Sequence, residues 1–390
     1  MDKVRTGIIG FGNMGSAHTK AIANGEISGL ELTCICDNDV AKRALAAKLY
    51  PDIAIFATHD ELLASGLADA VIVATPHCFH ASISAEAMRA GLHVLSEKPM
   101  DVAVSRVREA IAVAHETGKV YAVMFNQRTN PLFRRAKELV ESGALGVQKR
   151  AVWIITNWYR TQAYYDSGAW RASWGGEGGG VLLNQAPHNL DILQWIFGMP
   201  YRVRAFCHIA KYHNIEVEDD ATIYAEYENG ATATFITTTG ECPGTNRLEI
   251  SGDLGKIVLE DGKLKWWRLS EHERDFCFTS PIGMYKPEIS YEEIVPTEPE
   301  AAHRGILQNF ADAILYHTPL IAPGDEGICE LMLSNAAYLS SWTDAWTNLP
   351  FDEELYMRLL QEKIDASEKT PLFVSHGTAQ EYSERWQVRW

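Results

Sequence analysis

Three residues in succession, Glu97, Lys98 and Pro99, stand where a buried apolar run gives way to a loop. A carboxylate, an ammonium and a proline fit poorly at the end of a buried strand unless that end is a working site. In open α/β sheets the carboxyl ends of the strands are where ligands bind. A fixed ammonium there can stabilise the negative charge that develops on oxygen as a secondary alcohol loses a hydride and a proton. A second dense stretch is GGEGGGVLLNQAPHNLDI, residues 175–192. Its glycine cluster is expected to open a helix on which Asn184, His188 and Asp191, spaced i, i+4 and i+7, share one face. His188 and Asp191 offer two metal ligands but no third, which is not a zinc pattern, so no metal is expected.

The run Gly10, Phe11, Gly12, Asn13, Met14, Gly15 follows a short apolar stretch and opens a helical pattern at residues 16–23. In that setting the glycine spacing is a dinucleotide fingerprint. Gly10 permits a tight turn, Gly12 lets the backbone approach a pyrophosphate, and Gly15 lets the helix pack on the strand. The helix amino terminus adds N–H groups and a positive dipole end. An acidic residue is expected about 20 positions on, and Asp37 ends the second apolar run. Its carboxylate can accept from both ribose hydroxyls and would repel a 2′-phosphate, which favours NAD over NADP. Capping of the following helix is the structural alternative for Asp37. Thr75 and Pro76 are expected along the cofactor edge. His77 and His80 read as loop and first-turn residues, and His18 as a first-helix residue near the cofactor, rather than as catalysts.

These groups need rigid elements to hold them. Apolar runs at 4–10, 30–37, 53–58, 70–75, 93–96 and 119–125 alternate with helical patterns at 39–50, 80–91 and 105–118. Continuous apolar strands separated by helices indicate a parallel sheet covered on both faces. After Phe125 the pattern changes. A helix is predicted at 131–141, then strands at 150–158, 202–213, 221–227, 231–239, 247–251, 256–259 and 264–268. Asn229-Gly230 and Asp261-Gly262 lie between such runs and signal hairpins. Further helices are predicted at 301–318, 325–346 and 352–367. The fold class is therefore α/β: a doubly wound parallel-sheet domain (1–125), then an α+β domain with a large open, mostly antiparallel sheet (126–350). An extension (351–390) has no assigned role beyond covering a neighbouring subunit.

The chain carries 51 acidic and 35 basic residues, a net charge of −16. That excludes the basic footprint nucleic acids and anionic membranes require. No apolar run approaches the ~18 residues of a membrane span, and no signal peptide precedes the first strand, so a cytoplasmic protein is expected. The seven cysteines are scattered. Cys34 and Cys36 alternate on a buried strand and read as core packing in a reducing compartment.

Residues 10–15, Asp37, Thr75-Pro76 and above all Glu97-Lys98-Pro99 resemble the glucose–fructose oxidoreductase / inositol dehydrogenase / MocA family, over about residues 1–350. The resemblance implies a Rossmann domain followed by an open-sheet domain that packs in oligomers, here a homodimer or homotetramer through the open face. It implies hydride transfer between NAD and a ring hydroxyl of a sugar, anhydrosugar or cyclic polyol. Lys98 then touches cofactor and substrate and stabilises the alkoxide. Glu97 orients Lys98 or ties the loop to its own backbone, and a cis Lys98-Pro99 bond is expected. His188 matches the family's general base, and an imidazole titrates near working pH. The family usually has aspartate where this chain has Asn184. An amide can hold a substrate hydroxyl but cannot support an imidazolium by charge. His188 therefore works alone or takes support from Asp191 or Glu97.

Asn126 is expected near the cofactor and Arg128 near the substrate. Trp158, Tyr159, Arg160, Tyr164, Tyr165, Trp170 and Arg171 mix aromatic faces with guanidinium groups, a lining suited to a sugar, with core and interface packing the equal alternative for each aromatic. Asn184-Gln185 is similar to a branch that includes levoglucosan and glucoside 3-dehydrogenases. Two other readings remain: a redox-assisted glycoside cleavage or elimination with retained NAD, and a non-catalytic NAD-sensing regulator. Lys98 and His188 together speak against the last.

Overall fold

The computed structural model describes residues 3–168 and 170–368, arranged around two sheets. The first has six parallel strands: β1 (Val4–Ile9), β2 (Leu30–Cys36), β3 (Ala54–Phe56), β4 (Ala70–Val73), β5 (His93–Ser96) and β6 (Tyr121–Val123). Their order is β3-β2-β1-β4-β5-β6. The order reverses between β1 and β4, and a ligand crevice opens at such a point at the carboxyl ends of the strands. Ile8, Ile72, Val73, Val94 and Leu95 are buried in the central strands, as continuous apolar runs require. The helices predicted between them run over Val40–Leu49, His80–Arg89 and Val104–Thr117. Gly118 ends the last of these at φ 63°, a left-handed cap that glycine adopts without a Cβ clash.

The second sheet has nine strands: β7 (Gln148–Ile155), β8 (Arg202–Ile209), β9 (Glu218–Glu226), β10 (Thr232–Thr238), β11 (Asn246–Gly252), β12 (Gly255–Glu260), β13 (Lys263–Leu269), β14 (Ile289–Ile294) and β15 (Thr347–Asn348). Their order is β14-β13-β12-β11-β7-β10-β9-β8-β15. All neighbours are antiparallel except β7 and β10, which run parallel. The predicted hairpin signals do connect β9 to β10 and β12 to β13. One face buries Trp153, Val203, Ile223, Phe235, Leu248 and Ile257. Helices Pro131–Glu141 and Gly324–Thr343 pack on that side. The opposite face exposes Phe206 and Tyr224.

Two carboxyl-terminal helices, Ala302–Tyr316 and Gly324–Thr343, return to the first sheet. A Cβ on Gly324 would meet the Tyr121 ring at 2.6 Å, and one on Gly327 would meet Met100 and Val123 at 2.7 Å. Bare glycines let the helix approach that closely. Beyond them the helix Glu353–Asp365 packs against Gly324–Thr343. Tyr356 is buried and donates to the Val102 carbonyl at 3.0 Å. It stacks on Trp342, which stacks on Tyr338, with ring centroids 5.5 Å apart at each step. The carboxyl-terminal residues 369–390 lie outside the described residues. No helix of the described residues is long and apolar enough to cross a membrane.

Candidate active site

The glycine turn follows β1. Gly10 has φ 96°, and a Cβ there would stand 2.5 Å from the Ala74 carbonyl. A Cβ on Gly15 would collide with the Gly10 carbonyl, whereas one on Gly12 would meet nothing within 4 Å. Packing thus demands the first and third glycines, and open space lies over the second, as a pyrophosphate requires. The helix Asn13–Ala23 starts at once, with Asn13 and Met14 in its first turn. Asp37 accepts from the Phe11 N–H at 2.7 Å and the Asp39 N–H at 2.8 Å, so it closes the turn onto β2. The helix cap falls to Asp39, which accepts from Ala41 at 2.7 Å. Thr75, with Pro76 after it, follows β4, and Asn126 follows β6. Thr75 Oγ1 and Asn126 Oδ1 are buried without hydrogen-bond partners among the described residues. Buried polar atoms are rarely left so, and a dinucleotide along this edge would supply partners. The residues present fit NAD.

Glu97 and Lys98 leave the end of β5, and the Lys98-Pro99 bond is cis. Glu97 is buried. Its Oε1 bonds His18 Nε2 at 2.7 Å, and its Oε2 accepts the Lys98 N–H at 3.2 Å. Burial alone would raise this carboxyl, yet the His18 hydrogen bond and charge hold it at about 2. Glu97 thus ties the loop to its own backbone and to the first helix. His18, read from sequence as a first-helix residue near the cofactor, is its partner. Lys98 Nζ donates to the Asn184 carbonyl at 2.9 Å, across 86 residues of sequence. Burial lowers the Lys98 pKa, while Glu97, Glu330 and Glu177 pull it the other way.

Asn184 is not on the helix. The helix is Pro187–Phe197, with proline in its first turn. Proline's fixed φ and missing N–H suit the first helical position, so the helical face predicted for Asn184, His188 and Asp191 loses its first member. Asn184 lies in the preceding turns, which a buried carboxyl anchors. Glu218 accepts from Gly180 and Leu182 N–H at 2.9 Å each and from Tyr338 Oη at 2.7 Å. Burial pushes it up to about 7. The Asn184 side-chain amide donates to Glu177 Oε1, and Glu177 Oε2 accepts the Ala172 N–H at 2.7 Å. Burial also raises the Glu177 carboxyl. Sequence reasoning passed over Glu177, although a lone charge inside a glycine run was a usable signal.

His188 is buried, and its ring meets Phe125 edge-on at 6.1 Å. Burial first, then the Lys98 charge, pushes its pKa well below the ordinary range, which keeps the imidazole neutral. Asp191 commits its carboxylate elsewhere. It accepts from Arg128 Nε at 2.8 Å and Nη2 at 2.7 Å, and from Gln194 at 3.0 Å. Arg128 Nη1 donates to the Ile321 carbonyl at 3.1 Å and to Glu326. The expectation of Arg128 as a substrate contact is corrected: at 1% exposure it is an internal brace.

The aromatic segment closes on the first domain. Trp158 is buried and Tyr159 exposed. Arg160 donates to the Trp158 and Tyr159 carbonyls at 3.1 and 3.0 Å. Arg171 donates to Tyr164 Oη at 3.0 Å and lies over the Trp170 ring. The Trp170 and His77 rings meet edge-on at 6.2 Å, and His77 donates to the Glu177 carbonyl at 3.3 Å.

A parallel sheet whose switch point carries such a glycine turn is a dinucleotide-binding architecture. A family model described as "Oxidoreductase family, NAD-binding Rossmann fold" matches residues 4–125, and one described as "GFO/IDH/MocA C-terminal domain" matches residues 133–258. The chain belongs to the GFO/IDH/MocA oxidoreductase family. An uncharacterized oxidoreductase of Escherichia coli, YdgJ, is 30% identical over 51% of this chain, a match spanning 55% of that relative's length. Inositol 2-dehydrogenase of Rhizobium meliloti is 24% identical over 86% of this chain and 96% of its own. The solved WlbA dehydrogenase from Bordetella pertussis, in complex with NADH and UDP-GlcNAcA, superposes with TM-score 0.75 at 27% identity, over 90% of this chain and 100% of that one. Levoglucosan dehydrogenase with NADH and L-sorbose has TM-score 0.77 over 90% and 100%; at 20% identity it speaks for the fold alone.

Proposed function

We propose that the protein is an NAD-dependent dehydrogenase acting on a ring hydroxyl of a sugar, anhydrosugar or cyclic polyol. The observation that carries this reading is the 2.9 Å hydrogen bond from Lys98 Nζ to the Asn184 carbonyl. It sets the ammonium of one domain beside the turn that leads to His188 in the other. Bound NAD supplies the hydride acceptor. Lys98 holds the alcohol oxygen and stabilises the charge that grows on it. His188, neutral at working pH, accepts the hydroxyl proton. With its amide nitrogen held by Glu177, Asn184 turns its side-chain oxygen to a neighbouring hydroxyl. Trp158, Tyr159 and Trp170 offer ring faces, while Arg160 and Arg171 supply donors to substrate oxygens. Residues 1–125 serve the cofactor and residues 126–350 the substrate. The exposed Phe206 and Tyr224 face pairs subunits into a homodimer or homotetramer, in the cytoplasm.

The relatives named inositol 2-dehydrogenase support a cyclic polyol or sugar as substrate class. A screen of sugars, inositols and anhydrosugars with NAD and NADP, following absorbance of the reduced cofactor, tests the reading. NAD-linked oxidation of at least one ring polyol is expected. Turnover with retained NAD and no net absorbance change would make the protein a redox-assisted lyase or glycosidase. Binding of NAD with turnover of none would make it a sensor.

A further inference from the structure

The chain is strongly acidic, yet two arginines, Arg160 and Arg171, converge on the Tyr164 ring. Arg171 is 12% exposed at its side chain. Its Nη1 donates to Tyr164 Oη, and its guanidinium lies 4.7 Å from the Tyr164 ring and 4.6 Å from the Trp170 ring. The one acid within reach among the described residues is Glu177, 3.9 Å away. Both Glu177 oxygens already accept, from Asn184 and from Ala172. Arg171 Nε and Nη2 therefore keep a two-donor edge that no described residue engages. Arg160 reaches the same tyrosine, 5.2 Å from its ring, and among the described residues donates only to main-chain carbonyls. A contact path joins this pair to the reacting centre, from Arg171 to Glu177, to Asn184, and through the Asn184 carbonyl to Lys98.

Two guanidinium groups held against one aromatic ring, with Glu177 at 3.9 Å from Arg171 as their one carboxylate among the described residues, leave donors for a further anion. Trp170, beside Arg171, meets His77 of the first domain, so the pair lies where the two domains approach one another. A guanidinium edge with two parallel N–H groups matches a planar carboxylate. We propose that the substrate is a ring polyol bearing a carboxylate, of the uronate type, and that Arg171 binds that carboxylate with Arg160 reinforcing the charge. The inference rests on the dehydrogenase reading above and narrows its substrate. The aromatic faces of Tyr164 and Trp170 hold the guanidinium plane, so the site selects by charge and by position.

The test uses the full-length protein with NAD and matched pairs: glucose with glucuronate, galactose with galacturonate, and glucose 6-phosphate as the competing anion. At least one uronate is expected to exceed its neutral partner in kcat/KM by at least ~10-fold, the scale of a charge-assisted hydrogen bond. Its KM is expected to rise with ionic strength. Arg171→Met is expected to collapse the uronate-to-neutral ratio, and Arg171→Lys to restore part of it. Calorimetric titration of the NAD-loaded protein with the same uronates gives a readout independent of turnover. Oxidation of neutral sugars with no preference for the acid overturns the carboxylate assignment and leaves the dehydrogenase standing. Stronger turnover of the phosphate than of any uronate also overturns it. Uronate binding that Arg171→Met abolishes, with no oxidation of anything, overturns the dehydrogenase and upholds the anion site. Neither binding nor turnover overturns both.

Discussion

Two cations serve the two flanks of the helix Pro187–Phe197, and they are treated oppositely. Arg128 makes four hydrogen bonds, two to Asp191 and one each to Glu326 and Ile321. Its planar fork is filled by a carboxylate that matches it. Among the described residues Lys98 makes one side-chain bond, to a neutral carbonyl. The acids around it are committed elsewhere or discharged: Glu97 faces His18, Glu177 faces Asn184, and burial pushes Glu330 well up. Glu330 has no exposure, and neither of its oxygens has a partner among the described residues. A saturated cation is part of the frame. One left with unused donors and a lowered pKa is available to a substrate.

Removing each cation breaks or sharpens that contrast. Arg128→Met strands Asp191 in the interior, and stability is expected to drop by about 3–5 kcal/mol in urea unfolding. The folded fraction should keep its turnover. Turnover lost at unchanged stability would move Arg128 into the working group.

Acid comes next. Glu97 titrates at about 2 in the fold against an ordinary 4.5. A depressed carboxyl stabilises the fold above its ordinary pKa, and that share is lost as pH falls from about 4.5 towards 2. The difference is worth on the order of 3 kcal/mol. Glu97→Gln should flatten this acid limb of the stability profile, and an unchanged limb would remove the Glu97–His18 pair from the ledger of the fold.

Lys98→Ala and His188→Ala are each expected to lower kcat by at least ~100-fold, with far smaller changes in NAD affinity and unfolding midpoint. Near-normal kcat in either would take that residue out of the chemistry. The smallest effect belongs to Asp37→Ala, which should narrow the preference for NAD over NADP by about tenfold, the scale of one or two hydrogen bonds. A native preference for NADP would defeat the ribose argument.

The first sheet could be read from the chain because its strands are unbroken apolar runs and its helices stop at glycines such as Gly118. Lys98 stood out by type, since an ammonium at the end of a buried strand has few structural uses. Asn184 was misplaced because its spacing to His188 looked helical, while Pro187, the start marker, went unweighted. Arg128 was misjudged for a different reason. Its partners lie 63 and 198 positions away, and no local periodicity brings such residues together. His18 and Glu97, 79 apart, are the same case.

The stacked rings of Tyr356, Trp342 and Tyr338 end at Glu218, the carboxyl that grips the glycine turn through Gly180 and Leu182. The column works as a strut from the last described helix to the floor of the cleft. Clipping the polypeptide near residue 350, as a protease or a trimmed expression clone would, pulls out the strut's far end. The damage would surface remotely, as a slackened catalytic turn in a protein that still looks well folded.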